Sequence, residues 1–181
     1  MHIAVKITVH YADFRHLGGG ARKPGARMDL DQIDKRILRA VQANCALGAD
    51  ELGDLCGASA STASRRLKRL RDEGVISAEV AVVDPKKIGR PLLLIVGLRL
   101  DRDDTHIAAA FVREMREHPA VMQFYFVTGS ADYIIHISAR DMDEYNHFVQ
   151  TQLISNPHVC MTETNVVISP LKVGLKLPIE D

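Results

Sequence analysis

The segment from Gly57 to Ile76, GASASTASRRLKRLRDEGVI, leaves the chain few folding choices. Between Ser59 and Arg71 it carries five cations (Arg65, Arg66, Lys68, Arg69 and Arg71), and no acid appears until Asp72. Ser59 is the expected N-cap, because its hydroxyl can accept from an orphan amide of the first turn, and Gly74 supplies the left-handed position that stops the helix. At about 100° per residue, Ala60, Ala63, Leu67 and Leu70 fall on one stripe. Ser61, Thr62, Arg65 and Arg69 stand opposite, with Arg66 and Lys68 on the flanks. So narrow a stripe must be one wall of a small helical core, and the rest of the helix shows solvent a cationic face tipped with short hydroxyls. That tip suits a DNA major groove, where hydroxyls and arginine reach base edges while flanking lysine and arginine neutralise phosphates. The candidate DNA-contacting residues are Ser59, Ser61, Thr62, Ser64, Arg65, Arg66, Lys68 and Arg69. A merely solvated basic helix would have the same composition.

The residues upstream bear on that choice. Asp50 to Cys56 is a short helical segment with Leu52 and Leu55 expected inward, and Cys56-Gly57-Ala58 makes a tight turn into the basic helix. Helix, glycine-bearing turn and second helix form a helix-turn-helix. A further helix precedes them, capped by Asp31, with Ile33, Ile37, Leu38 and Val41 at amphipathic spacing. After Gly74, Val75 to Val83 alternates apolar with small or polar residues, which predicts a strand and hence a wing.

From Arg90-Pro91 the pattern changes. Leu92 to Leu100 is apolar at both parities, as in a strand covered on both faces. Asp104 or Thr105 caps a helix whose Ala108, Phe111, Val112 and Met115 form one stripe, ended by Pro119. Val121 to Thr128 and Tyr133 to Ala139 read as strands joined across Gly129-Ser130-Ala131-Asp132. Asp141 and Glu144 open a second helix with Tyr145, Phe148, Val149 and Leu153 inward, and Val159 to Ile168 is a fourth strand. The order βαββαβ predicts an α+β fold: a winged helix-turn-helix followed by a ferredoxin-like sheet with two helices on one face. The opposite face keeps an apolar surface larger than monomers usually expose, and a second copy of the chain is its simplest cover.

Leu30-Asp31-x-x-Asp34-x-x-Ile37-Leu38, then Glu51-Leu52, Ser59 through Arg65-Arg66-Leu67 to Leu70, and Gly74-Val75-Ile76 together resemble the leucine-responsive and asparagine-responsive (Lrp/AsnC) regulators. Thr128-Gly129-x-x-Asp132-Tyr133 looks like that family's glycine-aspartate loop, so the resemblance runs from residue 29 to about 178. It implies a DNA-binding transcriptional regulator whose dimers assemble into tetramers or octamers. It also implies an amino acid or related metabolite bound between subunits near Thr128, Gly129, Asp132 and Tyr133. The residues themselves are compatible with that role: Gly129 permits positive φ and exposed amides for a carboxylate, and Asp132 has the charge to meet an ammonium. They equally suffice for a hairpin turn, and Tyr125, Thr128 and Ser138 serve a sheet as readily as a pocket.

The charge distribution agrees with this division of labour. The chain is neutral overall, from 23 basic and 23 acidic side chains, yet residues 92–181 carry seven Lys/Arg against twelve Asp/Glu. An acidic half is a poor DNA surface, which leaves the basic helix and the tail at residues 1–27, five cations against one acid, for that role. The expected domains are an N-terminal extension at 1–27, a DNA-binding domain at 28–83, a linker at 84–91 and an effector-binding and oligomerisation domain at 92–181. The extension reads as an inert addition or as a basic arm. Cys45, Cys56 and Cys160 form no CxxC pair, so neither a zinc site nor a disulfide framework is expected, and the thiols fit a reducing cytoplasm. No cofactor, metal or membrane span is expected, nor any catalytic constellation: the histidines are scattered, and neither G-x-S-x-G nor a phosphate-cradling loop is present. The rival reading is an enzyme, because sirohaem decarboxylases resemble the same two-domain architecture. Their helix-turn-helix half is not expected to keep a hydroxyl-tipped cationic face, and this chain keeps one.

Overall fold

The computed structural model describes residues 28–101 and 105–180, with only the backbone for 105–107. The readings of residues 1–27 and of Asp104 or Thr105 as a cap therefore lie outside the described residues. The described residues divide into two compact units, one containing Val83–Pro170 and the other combining residues 28–82 with 171–180.

In the second of these, helices α1 (Gln32–Ala43), α2 (Ala49–Cys56) and α3 (Ala60–Asp72) enclose Ile37, Leu38, Leu52, Cys56, Ala63, Leu67 and Leu70. Of the stripe expected for α3, Ala63, Leu67 and Leu70 are buried and Ala60, at its N-terminal end, is half-buried. The inward side of α2 differs from expectation. Leu55 is 58% exposed, and Leu52, Gly53 and Cys56 face the core instead, because on a helix residues 52 and 56 lie within about 40° of each other and residue 55 does not. Gly53 has a specific reason to be glycine: a Cβ there would meet the Ala58 carbonyl oxygen at 2.8 Å and the Ala60 nitrogen at 3.0 Å, across the turn between α2 and α3. That turn is made by Gly57, at φ 67°. The expected strand over Val75–Val83 is not formed. Beyond Ile76 the backbone runs without a ladder partner among the described residues, leaving Val80, Val82 and Val83 exposed, since alternation alone cannot make a strand without a second edge. The C-terminal residues return to this unit. Arg39 donates to the Ile179 carbonyl at 3.2 and 2.8 Å, Gln42 exchanges hydrogen bonds with the Leu177 backbone, and Ile179 packs against the helical core.

The other unit is a four-stranded antiparallel sheet, β1 (Leu92–Leu100), β2 (Val121–Phe126), β3 (Tyr133–Ala139) and β4 (Val159–Val166), in the order β2-β3-β1-β4. Helices α4 (Thr105–Glu117) and α5 (Met142–Phe148) complete the βαββαβ order. Leu94, Val96, Leu98 and Leu100 from β1 and Tyr133, Ile135 and Ile137 from β3 interdigitate with Phe111, Val112 and Met115 of α4 and Tyr145, Phe148 and Leu153. On the opposite face stand Leu93, Ile95, Ile134 and Tyr125, the last 45% exposed. Asp141 caps α5 by accepting from the Glu144 amide at 2.8 Å, while Glu144 reaches back to the Arg140 amide at 2.6 Å. The helix expected to run on to Leu153 does so as a π-helix, Val149–Ile154. The Thr151 hydroxyl donates to the His147 carbonyl at 2.8 Å and the Ser155 hydroxyl to that of Thr151 at 2.5 Å, competing with backbone donors for those acceptors and favouring a wider turn.

Candidate nucleic-acid interface and effector loop

Helix α3 is positioned by what it buries and by its caps. Ser59 accepts from the Thr62 amide at 3.3 Å and donates to the Thr62 hydroxyl at 2.9 Å, with the Ser61 hydroxyl 3.3 Å away. Gly74 adopts φ 72° beyond the helix, and its amide donates to the Arg71 carbonyl at 3.0 Å, the inner bond of a Schellman-type stop. With Ala63, Leu67 and Leu70 turned inward, Ser61, Ser64, Arg65, Lys68 and Arg69 are exposed, and Thr62 is half-buried.

The cations on α3 have different partners. Arg65 makes no ion pair among the described residues and stands out from the helix. Lys68 reaches Asp72 at 2.6 Å, one turn on along the same face, a contact between two exposed groups that contributes little. Arg71 pairs with Glu79 at 2.7 Å. Arg66 and Arg69 instead point to the N-terminal turn of α1. Arg66 bonds Asp31 and lies 3.1 Å from Asp34, and Arg69 lies 2.6 Å from the other oxygen of Asp34. Asp31 and Asp34 form a capping box at the start of α1, with the Asp34 amide donating to Asp31 at 2.9 Å and the Asp31 amide to Asp34 at 3.3 Å. The Asp31 carboxyl is held below its ordinary pKa, first by the Asp34 amide and then by Arg66; the Arg66 guanidinium is correspondingly raised by Asp31 and Asp34. The sequence placed Arg66 on a flank of the DNA face and marked Asp34 as part of the family motif, without its role as the partner of Arg66 and Arg69. The signal was present in the capping box, but burial of its second aspartate depends on side chains 32 and 35 residues away.

The glycine-aspartate loop joins β2 to β3. The Val127 amide donates to the Asp132 carbonyl at 2.9 Å and closes the hairpin, while the Asp132 amide donates to the Leu98 carbonyl at 2.8 Å. Thr128, Gly129 and Ser130 are exposed at the tip, with Gly129 at φ 134° and open space where a Cβ would project. Arg99 braces the tip by donating to the Ser130 carbonyl. Asp132 and Tyr133 turn the other way. The Asp132 carboxylate accepts from the buried Leu100 amide at 3.2 Å. Tyr133 sits among Phe111, Phe124 and Phe126, its hydroxyl pushed up in pKa chiefly by burial and secondarily by Asp132. Of the other residues weighed for this site, Tyr125 lies on the far face of the sheet against His136, and Ser138 accepts from Arg90 at 3.1 Å.

Among the described residues no group of His, Cys, Asp and Glu is arranged to hold a metal ion, and no helix is long and apolar enough to cross a membrane. A capped helix with a hydroxyl-tipped cationic face, packed on two others and followed in the chain by a βαββαβ sheet, defines the class of two-domain helix-turn-helix regulators. Comparison with known proteins makes the class specific. A winged helix-turn-helix DNA-binding family model matches residues 30–77 and an Lrp/AsnC ligand binding domain model matches residues 93–177. The chain is 41% identical over 153 residues, 84% of its own length and 90% of the relative's, to the HTH-type transcriptional regulator y4tD of Sinorhizobium fredii. It is 31% identical to the transcriptional regulator AzlB of Bacillus subtilis, over 84% of this chain and 97% of that one. It also superposes, with a TM-score of 0.79 and 29% identity, on a Neisseria meningitidis transcriptional regulator solved in complex with L-Met, covering 83% of this chain and 97% of that one. The chain belongs to the Lrp/AsnC family of DNA-binding transcriptional regulators.

Proposed function

We propose that this regulator reads a duplex DNA site with the exposed side of α3 and that an amino acid or related small metabolite modulates that binding. The observation that carries the reading is the division of α3 itself: Ala63, Leu67 and Leu70 are buried while Ser61, Ser64, Arg65 and Lys68 are presented together. Arg65 is the residue assigned to direct contact, with Lys68 on phosphate and the hydroxyls of Ser61 and Ser64 at the entering tip. Ser59 and Thr62 fix that tip by capping, and Arg66 and Arg69 join it from the α1 side.

The effector is assigned to the tip of the β2-β3 loop. Gly129 leaves the backbone around Thr128 and Ser130 open to a carboxylate, and Asp132 and Tyr133 hold the loop from beneath. The solved Neisseria relative carries L-Met, which makes an amino acid the first ligand class to try. The sheet face bearing Leu93, Ile95, Ile134 and Tyr125 is assigned to a second copy of the chain, so that two α3 helices meet a two-fold site in the cytoplasm.

One titration tests the reading. A duplex enriched from a randomised library by the wild-type chain is followed by fluorescence anisotropy, with and without each of the common amino acids at millimolar concentration. Arg65→Ala is expected to weaken binding by about 1–3 kcal/mol. Gly129→Val is expected to leave ligand-free affinity intact and abolish the response to the active amino acid. Unchanged binding by Arg65→Ala refutes the DNA face, and no response of the wild type to any amino acid refutes the effector. Sedimentation of the full chain as a monomer at micromolar concentration refutes the self-associating sheet.

A further inference from the structure

Asp34 is 1% exposed, and the other buried side chains of this unit among the described residues are apolar. Burying a carboxylate is unfavourable, and a negative charge beneath a DNA-facing helix also opposes phosphate attraction. What the carboxylate supplies is order. One oxygen takes Arg66 and the other takes Arg69, which are one helical turn apart on α3. Rotation of α3 by a single residue, about 100°, would carry both guanidinia away from it. Arg69 is 47% exposed even while bonded, and only its Nη2 is committed to Asp34. A planar guanidinium tethered at one nitrogen is restricted in where it can swing and keeps its remaining donors directed outward, whereas a free arginine follows the nearest phosphate.

We propose that Asp34 is a positioning residue for DNA recognition: through Arg66 it sets the rotation of α3, and through Arg69 it aims a pre-oriented guanidinium at a base edge. The inference rests on α3 being the DNA-contacting helix. Asp34 thus supplies discrimination between sequences rather than affinity for DNA in general.

The test uses the full chain, the duplex enriched by the wild type and a scrambled duplex of the same composition, with affinity for each measured at fixed ionic strength. Asp34→Asn keeps the size of the side chain and removes its charge. It is expected to lower the ratio of the two affinities on the order of tenfold while leaving affinity for the scrambled duplex unchanged or raised. Arg69→Gln is expected to lower the ratio by a similar factor, and the double variant by no more than either alone, because both remove the same contact. A purely structural role would weaken both duplexes in parallel and leave the ratio alone. A folded Asp34→Asn with the wild-type ratio, or a double variant whose losses multiply to about a hundredfold, overturns the proposal. Should Asp34→Asn fail to fold, Arg69→Lys decides, since it keeps the cation but not the planar fork: an unchanged ratio overturns the proposal and a reduced one supports it. A wild-type chain that enriches no sequence overturns the DNA reading itself, and this inference with it.

Discussion

Among the described residues the two units each bury one aspartate, and the partners that meet the two carboxylates differ. Asp34, 1% exposed on α1, accepts from the guanidinia of Arg66 and Arg69 on α3. Asp132, 7% exposed beneath the β2-β3 loop, accepts from the backbone amide of Leu100 on β1. The first arrangement ties two helices through long side chains of opposite charge, so it specifies how one helix is turned against the other. The second ties a loop to the strand beside it through main-chain groups, so it fixes the base of the loop and leaves Thr128, Gly129 and Ser130 at the surface. Each carboxylate lies under a segment with a proposed binding role, and the chemistry of its partner matches what that segment requires: fixed orientation for a helix that reads DNA, an anchored but open tip for a loop that receives a ligand.

The sharpest way to break this comparison is to remove both carboxylates in turn. Asp34→Ala leaves two guanidinia without their buried counter-charge and is expected to destabilise the full chain by about 3–5 kcal/mol in urea denaturation. Asp132→Ala leaves the Leu100 amide without this acceptor and is expected to cost less, about 1–3 kcal/mol. Asp132→Asn should recover much of that loss, because an amide oxygen still accepts from the Leu100 nitrogen. Equal losses for the two alanine variants would show that the charged pairing in the helical unit is no more demanding than the amide pairing in the sheet.

The helical unit was legible where its determinants are local. Ser59 and Gly74 bound α3 as read from the sequence, and the Ala63, Leu67, Leu70 stripe is buried, because capping and 3.6-residue periodicity act within a few turns. The sheet was legible for a different reason. Its strands are separated by amphipathic helices and turn residues, so β1 and β3 have the expected bounds and the topology follows from the element order. What escaped depends on residues far apart in sequence. Burial of Asp34 is decided by Arg66 and Arg69; the return of Ile179 to α1 is decided by Arg39, 140 residues earlier. Gly53 is required by a carbonyl oxygen across a turn, which no periodicity encodes. The alternation over Val75–Val83 was genuine, but it describes a face and not a partner, and no strand pairs with it among the described residues. In the loop, Gly129 was recognisable as a conformational requirement, whereas the inward direction of Asp132 depends on the C-terminal end of β1, where it meets Leu98 and Leu100.

The smallest effect refines the comparison within the helical unit, where Asp31 stands beside Asp34 but with its side chain half exposed. Its carboxyl is held below the ordinary value by the Asp34 amide first and by Arg66 second. A carboxyl whose pKa is lower in the folded than in the unfolded chain stabilises the fold fully above its ordinary value, and that contribution is lost as pH falls through the lower native value. Asn is as good an N-cap as Asp, so Asp31→Asn retains the bond from the Asp34 amide and removes the charge that meets Arg66. The variant should therefore melt slightly below the wild type at neutral pH, and the gap should close as the pH is lowered into the acid range. Melting curves of the two chains at a series of pH values check this. A gap that stays constant down to acid pH would mean that the Arg66 pairing with Asp31 contributes nothing, leaving Asp34 as the carboxylate of the first turn of α1 that holds α3 in place.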